Sequence, residues 1–262
     1  MTEHGEGRDA PGGFRETVTD TAISDWSDQS VVYRGYDVLD LVRESTFTEV
    51  AYLLLCGDLP EDLYLADFRA MLAESLDGEA WSDESAWMSD LLDRLPLNVP
   101  LTEILRTAIS AVAHFDPQPA DRSLEADRAR SIRLLGRVPM LVAARVAMIR
   151  GEERPSADPE RSFSSQLAVL LIGRVPSPLL ERALDVLLIS VIDVGFSPAV
   201  QAARLAAAAG ADVHGAVLAA AAVESTSERT GLAERLVELW AERPWGEDPD
   251  GWVLERLDAG LG

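Results

Sequence analysis

Apolar residues recur every three to four positions along most of the chain, the spacing that lines one face of a helix. The pattern predicts a short helix over 37–42 and a second helix that starts in the capping sequence 45–49 and ends at Gly57. A third helix is predicted from Pro60, with four apolar residues at helical spacing: Leu63, Leu65, Phe68 and Leu72. Further helices are predicted at 84–94, 101–114, 121–149, 161–172, 178–191, 198–209, 212–223 and 230–242, with breaks at Pro96, Pro100, Pro117, Pro119, Pro155, Pro176, Gly210 and Pro244.

Strand-like sequence is confined to the beginning of the chain. Thr21–Ser24 and Val31–Arg34 are separated by the turn-prone segment 25–28, which predicts a small hairpin. No long alternation of apolar and polar residues follows. We therefore predict an all-α fold, a helical domain over 14–257 with a short N-terminal β-hairpin, between a mobile acidic tail over 1–13 and a C-terminal end over 258–262.

The predicted helices 198–209 and 212–223 are rich in alanine on several faces and are separated by Gly210. A helix that is apolar all round must be buried, so one interpretation places the pair in the centre of the core. Small side chains also let helices approach each other closely, so the other interpretation places the pair at a subunit interface.

The charge balance changes which partners are plausible. The chain has 45 acidic and 23 basic residues among 262, a formal net charge of −22. Such a field repels phosphate backbones and anionic lipid, so nucleic-acid and membrane partners are disfavoured. The most apolar stretch, Val186–Ile192, is much shorter than the ~20 residues of a membrane span. Because the N-terminus also has no signal-peptide core, we expect a cytoplasmic protein.

Histidines and cysteines, the residues that most often carry catalysis, are few. Cys56 is the one cysteine, which excludes an intrachain disulfide, and its apolar helix face predicts a buried side chain. His4 lies in the tail and His114 lies near a helix end. His214 follows the expected cap residue Asp212, which favours a capped or exposed imidazole over a catalytic one.

Paired carboxylates occur at Glu61–Asp62 and Glu152–Glu153, and both pairs are expected on the solvated surface. The chain has no phosphate-binding loop that ends in lysine, since it contains no lysine, and no nucleophile elbow or zinc-binding histidine pair. We therefore predict no metal site and no cofactor from these residues.

Longer segments carry a family signature. Val32–Leu41 reads VYRGYDVLDL, and Thr46–Pro60 reads TFTEVAYLLLCGDLP. Three more segments match in the same order: 14–24, 94–96 and 105–110. From Gly13 to about Leu257 the sequence resembles the citrate synthase family. The resemblance implies a citrate-synthase-like large helical domain, which agrees with the all-α prediction.

The resemblance also implies a chemistry, the condensation of acetyl-CoA with oxaloacetate. In the family a carboxylate takes a proton from the thioester methyl while a neutral histidine donates to the developing enol oxygen. Other histidines and arginines bind oxaloacetate and polarise its carbonyl. A weak carbon acid needs a base and an electrophile placed together, and a dicarboxylate held away from water needs fork-shaped arginine partners.

Two of the family's histidine positions fall on valine in this sequence. The family segment HADHGFNPSTFAAR matches 191–204, which reads VIDVGFSPAVQAAR, and Asp193 and Arg204 help to hold the register. The histidine positions are then Val191 and Val194. An isopropyl group can neither donate to a carboxylate nor polarise a carbonyl.

A third histidine position falls on arginine. The family turn GPLHGGA matches 226–232 and places Arg229 where the enol-stabilising histidine stands. Arginine can donate a hydrogen bond but does not shuttle a proton at neutral pH. Ala259–Gly262 then falls where the family's GFGHRVY motif begins, so we expect the remaining catalytic and CoA-binding residues, and most of the small domain, to be missing.

These correspondences assign no catalytic residue to this chain and leave its substrate-binding residues unidentified. One hypothesis is a non-catalytic citrate-synthase-like protein, a binding, regulatory or partner subunit. It would dimerise with a second copy or with a complete citrate synthase through antiparallel helices, and would meet acyl-CoA or oxaloacetate only through that partner. The alternative is a citrate or 2-methylcitrate synthase whose missing groups come from another chain. An unselected gene fragment is a third interpretation, disfavoured because helical patterning persists through Trp240.

Overall fold

The computed structural model of the protein describes residues 21–26, 30–76, 82–153, 158, 160–193, 195 and 197–224. These residues are mostly helical, which confirms the predicted all-α class. The predicted tail over 1–13, the predicted helix over 230–242 and the breaks at Pro155 and Pro244 lie outside the described residues.

The helices follow the predicted order. They are α1 (Val38–Glu44), α2 (Phe47–Cys56), α3 (Asp62–Leu76), α4 (Ser82–Arg94), α5 (Leu101–Val112), α6 (Leu124–Arg150), α7 (Phe163–Ile172), α8 (Pro178–Val191), α9 (Pro198–Ala208) and α10 (Val213–Glu224), with a 3-10 turn, Ala113–Phe115, after α5. The helices α6 and α7 begin later than predicted because a serine caps each of them from outside. The hydroxyls of Ser123 and Ser162 accept backbone N–H groups in the first turns of α6 and α7.

The predicted hairpin is confirmed, but its first strand lies further along the chain. β1 (Ser24–Trp26) pairs antiparallel with β2 (Val31–Tyr33), and β3 (Tyr36–Asp37) adds a third strand. The prediction placed Asp25 and Trp26 in a turn, whereas both are paired in β1, because the tryptophan ring packs against another part of the fold. Arg34–Gly35 joins β2 to β3 with two positive φ angles, 51° and 93°, the pattern of a type I′ turn.

Helix α2 begins and ends as predicted. Thr46 and Glu49 form a capping box, in which each side chain accepts the backbone N–H of the other residue. The buried carboxylate of Asp185 on α8 accepts the N–H of Phe47 at 2.9 Å. A helix distant in sequence thus satisfies another of the backbone N–H groups that have no partner within the first turn of α2. Gly57 closes the helix in the left-handed region, with φ 107°.

Helix α3 confirms three of its four predicted core positions. Leu65, Phe68 and Leu72 are buried, whereas Leu63 is 71% exposed. Leu63 lies two residues before Leu65, which places it on a different face from the stripe that reaches the core. The expectation that Leu63 lies on the same face as the other three is wrong, because a leucine at the start of a helix is compatible with more than one face.

Helix α6 crosses the centre of the molecule, against α3, α5, α7 and α10. It continues through Pro139, as the helix predicted over 121–149 requires. Its closest approach to α3 is at Gly136, where an added Cβ would lie 2.0 Å from Ser75 Oγ and 2.6 Å from the Ser75 carbonyl carbon. Only a residue without a side chain fits there.

Within the described ranges, the core forms three clusters around α6 and its neighbours. One joins α2, α3, α6 and α7, a second joins α4, α5 and α6, and a third joins the strands, α1, α2 and α8. Among the described residues, no helix has the length and apolar character needed to cross a membrane.

The carboxylate pairs Glu61–Asp62 and Glu152–Glu153 are exposed as predicted. Cys56 is only half-buried, because it is the last residue of α2 and lies at the edge of the core.

Candidate functional site

The turn between α8 and α9 is held by its own polar groups. α8 ends at Val191, and Ser197 caps the start of α9 with its hydroxyl. Asp193 Oδ1 accepts the N–H of Gly195 at 3.2 Å, and Gly195 has φ 67°, a left-handed conformation that favours glycine. The turn therefore keeps a defined shape between two helices.

The N-terminal strands anchor this turn. Trp26 Nε1 donates to Asp193 Oδ2 at 3.4 Å, and the hydroxyl of the buried Tyr33 donates to the Asp193 carbonyl at 3.3 Å. Burial raises the pKa of Tyr33, and the Asp193 carboxylate raises it further, so the phenol remains a donor at neutral pH. A Cβ on Gly195 would lie 3.6 Å from the Trp26 ring, which places the turn against the face of the tryptophan.

The outward face of α8 is apolar. Leu179, Ala183, Leu187 and Val191 follow one another at intervals of four residues and are all exposed, while Asp185 and Ile189 face inward. Leu187 is 56% exposed and Val191 is 54% exposed. We call these four exposed residues the α8 stripe. A stripe of this kind is available for contact with another helix.

The alanine-rich pair α9 and α10 lies at the surface of the described chain. Ala199 is the one buried side chain described on α9, and His214 is the one on α10, while Leu205 is 73% exposed. The interpretation that the pair forms the centre of the core is therefore wrong for the chain by itself. The two helices pack on each other, and α10 packs on α5 and α6, so the pair covers one side of the bundle.

The three histidines have different environments. His4 lies outside the described residues, and His114 is exposed in the 3-10 turn after α5. His214 is 3% exposed, so the expectation of an exposed imidazole is wrong. Asp212 caps the helix as expected, since its Oδ1 accepts the N–H of Gly215 at 2.8 Å.

A buried charge cluster, which the sequence did not reveal, joins the α5–α6 connection to α6. Arg130 is fully buried and donates to Asp116 at 2.5 Å, to Asp127 at 2.9 Å and to the Gln118 carbonyl at 2.6 Å. Arg133 also reaches Asp116, at 3.0 Å. Burial would raise the pKa of Asp116, but the hydrogen bond from Arg130 and its other contacts lower it below its usual value.

A second buried ion pair fastens α4 to α6. Arg137 Nη2 lies 2.6 Å from Glu84 Oε2, and both side chains are almost fully buried. Burial raises the pKa of Glu84 to about 7, against the opposing influence of Arg137 and Arg133. Both clusters connect helices to each other, and none of the hydrogen bonds and ion pairs given above for them involves the α8–α9 turn. We therefore interpret their role as structural.

A surface cleft of about 370 Å³ lies between α2, α3 and the start of α7. Its polar lining includes Arg69, Arg161, Gln166 and the structural carboxylate Asp185. In the described part of the chain, no three histidine, cysteine, aspartate or glutamate side chains converge to hold a metal ion. The cleft therefore supplies charge and hydrogen bonds but no metal ligand set.

Comparison with known proteins identifies the family. The family described as "Citrate synthase, C-terminal domain" matches residues 13–261, nearly the whole chain. The chain belongs to the citrate synthase family. A citrate/2-methylcitrate synthase of Bacillus subtilis is 30% identical over 250 residues, which cover 95% of this chain and 66% of that protein.

Other members agree in sequence and in fold. A citrate synthase of Haloferax volcanii is 28% identical over 244 residues, 88% of this chain and 60% of that protein. The citrate synthase of Thermoplasma acidophilum, solved with carboxymethyl coenzyme A and oxaloacetate, superposes with a TM-score of 0.76 at 18% identity, over 94% of this chain and 64% of that one. At 18% identity, the superposition with the Thermoplasma structure shows that the two chains share a fold. This citrate synthase family member thus spans about two thirds or less of the length of these relatives.

Of the three site positions predicted for this citrate synthase family member, the structure describes one. Val191 closes α8 and belongs to the exposed α8 stripe, whereas Val194 and Arg229 lie outside the described residues. Between 191 and 198 the sequence has one ionisable side chain, Asp193, and its carboxylate already binds the N–H of Gly195 and the indole of Trp26. Proton transfer needs a titratable group within reach of the substrate, and Asp193 is occupied in holding the turn.

Proposed function

We propose that this citrate synthase family member is non-catalytic by itself and acts as a binding, regulatory or partner subunit. The observation that carries the proposal is the α8–α9 turn. Asp193, which holds the shape of the turn, is bonded to Gly195 and Trp26. The positions that we match to family histidines hold Val191, Val194 and Arg229. The packing of the turn is kept and its proton-handling groups are replaced.

The chemistry explains why these replacements matter. Taking a proton from a thioester methyl requires a base and an electrophile that stabilises the enolate in the same site. A hydrogen bond to a charged ligand contributes about 1.5–3 kcal/mol, and a hydrocarbon side chain contributes none of it. Arg229 is always charged at neutral pH, so it can attract an anion but cannot take part in proton transfer.

We further propose that the partner docks on a face that includes the α8 stripe, with Leu205 on α9 as a second exposed apolar contact. Leu187 and Val191 are exposed, although α8 packs into the core on its opposite side through Ile189, and Leu205 is exposed on α9. A second copy of this chain or a complete citrate synthase supplies the matching helices. Burying such residues contributes about 25 cal/mol per Å² of apolar area, which favours association.

The docking face is tested with Leu205→Glu. A charge in a buried apolar contact is strongly unfavourable, so the variant is expected to shift the assembly toward monomer in light scattering coupled to size exclusion. Leu63→Glu is the matched control, because Leu63 is equally exposed but lies on α3. The proposal fails if the wild-type chain is monomeric and binds no complete citrate synthase at micromolar concentration.

A catalytic role complemented by another chain is the second candidate, favoured by the near-complete match of the chain to the family. It is tested by mixing the purified protein with oxaloacetate and either acetyl-CoA or propionyl-CoA, with and without cell lysate depleted of its own synthase. Free thiol release is measured against a working synthase. A rate that appears only when chain and lysate are combined supports this candidate, and background rates in both arms exclude it.

A further inference from the structure

His214 is the one histidine described as buried, and it lies where α10 packs against the rest of the bundle. Its side chain is 3% exposed, and neither Nδ1 nor Nε2 has a hydrogen-bond partner among the described residues. A neutral imidazole has one donor and one acceptor nitrogen, so both are left unsatisfied in this position. The arrangement is tolerable for a neutral ring and far more costly for a charged one.

The carboxylates around the ring are already bonded. Asp116, in the α5–α6 connection, accepts from Arg130, Arg133 and the Gln118 N–H. Asp212, on the same turn as His214, accepts the Gly215 N–H, and its other oxygen lies 3.7 Å from Arg122. A newly formed imidazolium would therefore compete for oxygens that other donors hold.

Two cations also act on the ring from α6. Burial lowers the pKa of His214 most, and Arg133 and Arg130 lower it further, against the opposing charges of Asp212 and Asp116. The other helices that pack on α10 carry the Glu103–Arg106 ion pair on α5 and the exposed Arg204 on α9. The net environment opposes a second positive charge at this point.

The rest of the described α10 contacts are weaker anchors. His214 is its one buried side chain, and Val213 and Val217 are only half-buried where they pack on the cluster of α4, α5 and α6. Since α9 packs mainly on α10, the His214 contact contributes to the attachment of both helices, together with the packing of α10 on α5 and α6. Losing it would loosen α9 and α10 while the two core clusters that contain no α10 residue stay intact.

We propose that His214 is a pH-sensitive latch, whose protonation loosens the α9–α10 pair from α5 and α6. The proposal stands apart from any catalytic role. In the unfolded chain the imidazole titrates near its ordinary value, and in the docked helix it titrates lower. The docked state therefore has its full stability above the ordinary histidine pKa of ~6.5 and loses it as the pH falls below that value.

The test is amide hydrogen exchange at pH 7.5 and pH 5.5, corrected for the intrinsic pH dependence of exchange. In the wild-type chain the protection of 213–224 is expected to fall at the lower pH, by up to about tenfold, since each pKa unit of difference gives up to tenfold. Protection of α3 is expected to stay unchanged. His214→Gln removes the titrating group, so the fall in α10 is expected to disappear, whereas His114→Gln is expected to behave as the wild type.

A fall in α10 protection that persists in His214→Gln, or no fall in the wild-type chain, would overturn the proposal. If His214→Gln does not fold, the imidazole is titrated directly in the wild-type chain by NMR. The chain has three histidines, so His4→Gln and His114→Gln assign the remaining signal. A midpoint below 6.5 for that signal supports the latch, and a midpoint at or above 6.5 overturns it.

Discussion

In the α8–α9 turn, Asp193 shares its carboxylate between a backbone N–H and the indole of Trp26, in contacts that water reaches. In the block formed by α4, α5 and α6, Arg130 and Asp116 are paired with almost no exposure, and Glu84 and Arg137 are paired nearby. Both regions use charged groups to hold helices in place. They differ in how much water surrounds those groups and therefore in what each contact contributes.

The difference indicates where this chain can accept change. Removing one partner of a buried ion pair leaves an uncompensated charge in the interior, whereas an exposed contact is replaced by water. The block is thus expected to resist substitution, and the turn is expected to tolerate it. The proposal that family histidine positions fall on valine in this turn would fit a region released from chemical demands but still required to connect two helices.

The largest expected effect comes from Asp116→Ala. It leaves the fully buried Arg130 without its closest partner, and breaking a buried pair costs about 3–5 kcal/mol in the free energy of unfolding. Urea denaturation measures the loss. Asp193→Ala, the matched change in the turn, is expected to cost about 1 kcal/mol or less. Equal losses for the two variants would contradict the comparison.

Gly136→Ala is expected to destabilise the chain by about 1–3 kcal/mol, because the new methyl group meets Ser75 across the α3–α6 contact. In an unconstrained helix the same change stabilises by about 1 kcal/mol, so the sign of the effect is informative. Thermal unfolding measures it. Adding Ser75→Gly is expected to recover part of the loss, because it removes the side-chain contact but not the contact with the backbone carbon. A stabilised Gly136→Ala protein would show that the helices do not approach this closely.

Glu84 predicts a pH dependence of stability in the block. Its pKa is raised from an ordinary value of 4.5 to about 7 in the folded chain, so the folded state binds more protons than the unfolded state between those values. Its contribution is therefore fully present below pH 4.5 and is lost as the pH rises through about 7.

Glu84→Gln removes this titration. The difference in unfolding free energy between variant and wild type is expected to change with a slope of up to about 1.4 kcal/mol per pH unit between pH 5 and 7, in favour of the variant as the pH rises. Glu74→Gln, at an exposed glutamate on α3, serves as the control for the substitution itself. A flat difference for Glu84→Gln would show that the carboxyl is hydrated.

Trp26→Phe has the smallest expected effect. It removes the indole donor to Asp193 but keeps an aromatic ring against Gly195, and the contact is long and exposed. We expect a loss of about 0.5–1 kcal/mol in urea denaturation. A loss as large as that of Asp116→Ala would mean that the turn is as tightly determined as the block.

The sequence predicts local features of this fold well. The capping box of Thr46 and Glu49 and the end of α2 at Gly57 depend on residues a few positions apart, and they occur as expected. The positions of the remaining described helices follow from apolar spacing and from prolines that break the pattern. Such features are encoded within a single turn of chain, which is why a pattern reveals them.

Features that depend on distant segments could not be predicted in this way. The burial of Arg130, Glu84 and His214 depends on which helices meet, and charged or histidine side chains are expected on the surface until their partners are known. The exposure of the alanine-rich α9 could not be predicted for the same reason. Its composition shows that the helix is suited to close packing, but not whether the packing partner lies in this chain or in another. The candidate site was recognised through family motifs and not through its own chemistry, because valine at a site position has no chemical signature.

The most direct test of the central claim is thiol release by the purified chain alone, with oxaloacetate and acetyl-CoA or propionyl-CoA. The account predicts no rate above the uncatalysed background, since no group at Val191, Val194 or Arg229 can transfer a proton at neutral pH. Measurable turnover that is abolished by Arg229→Ala would contradict it, because the arginine would then be part of a working site.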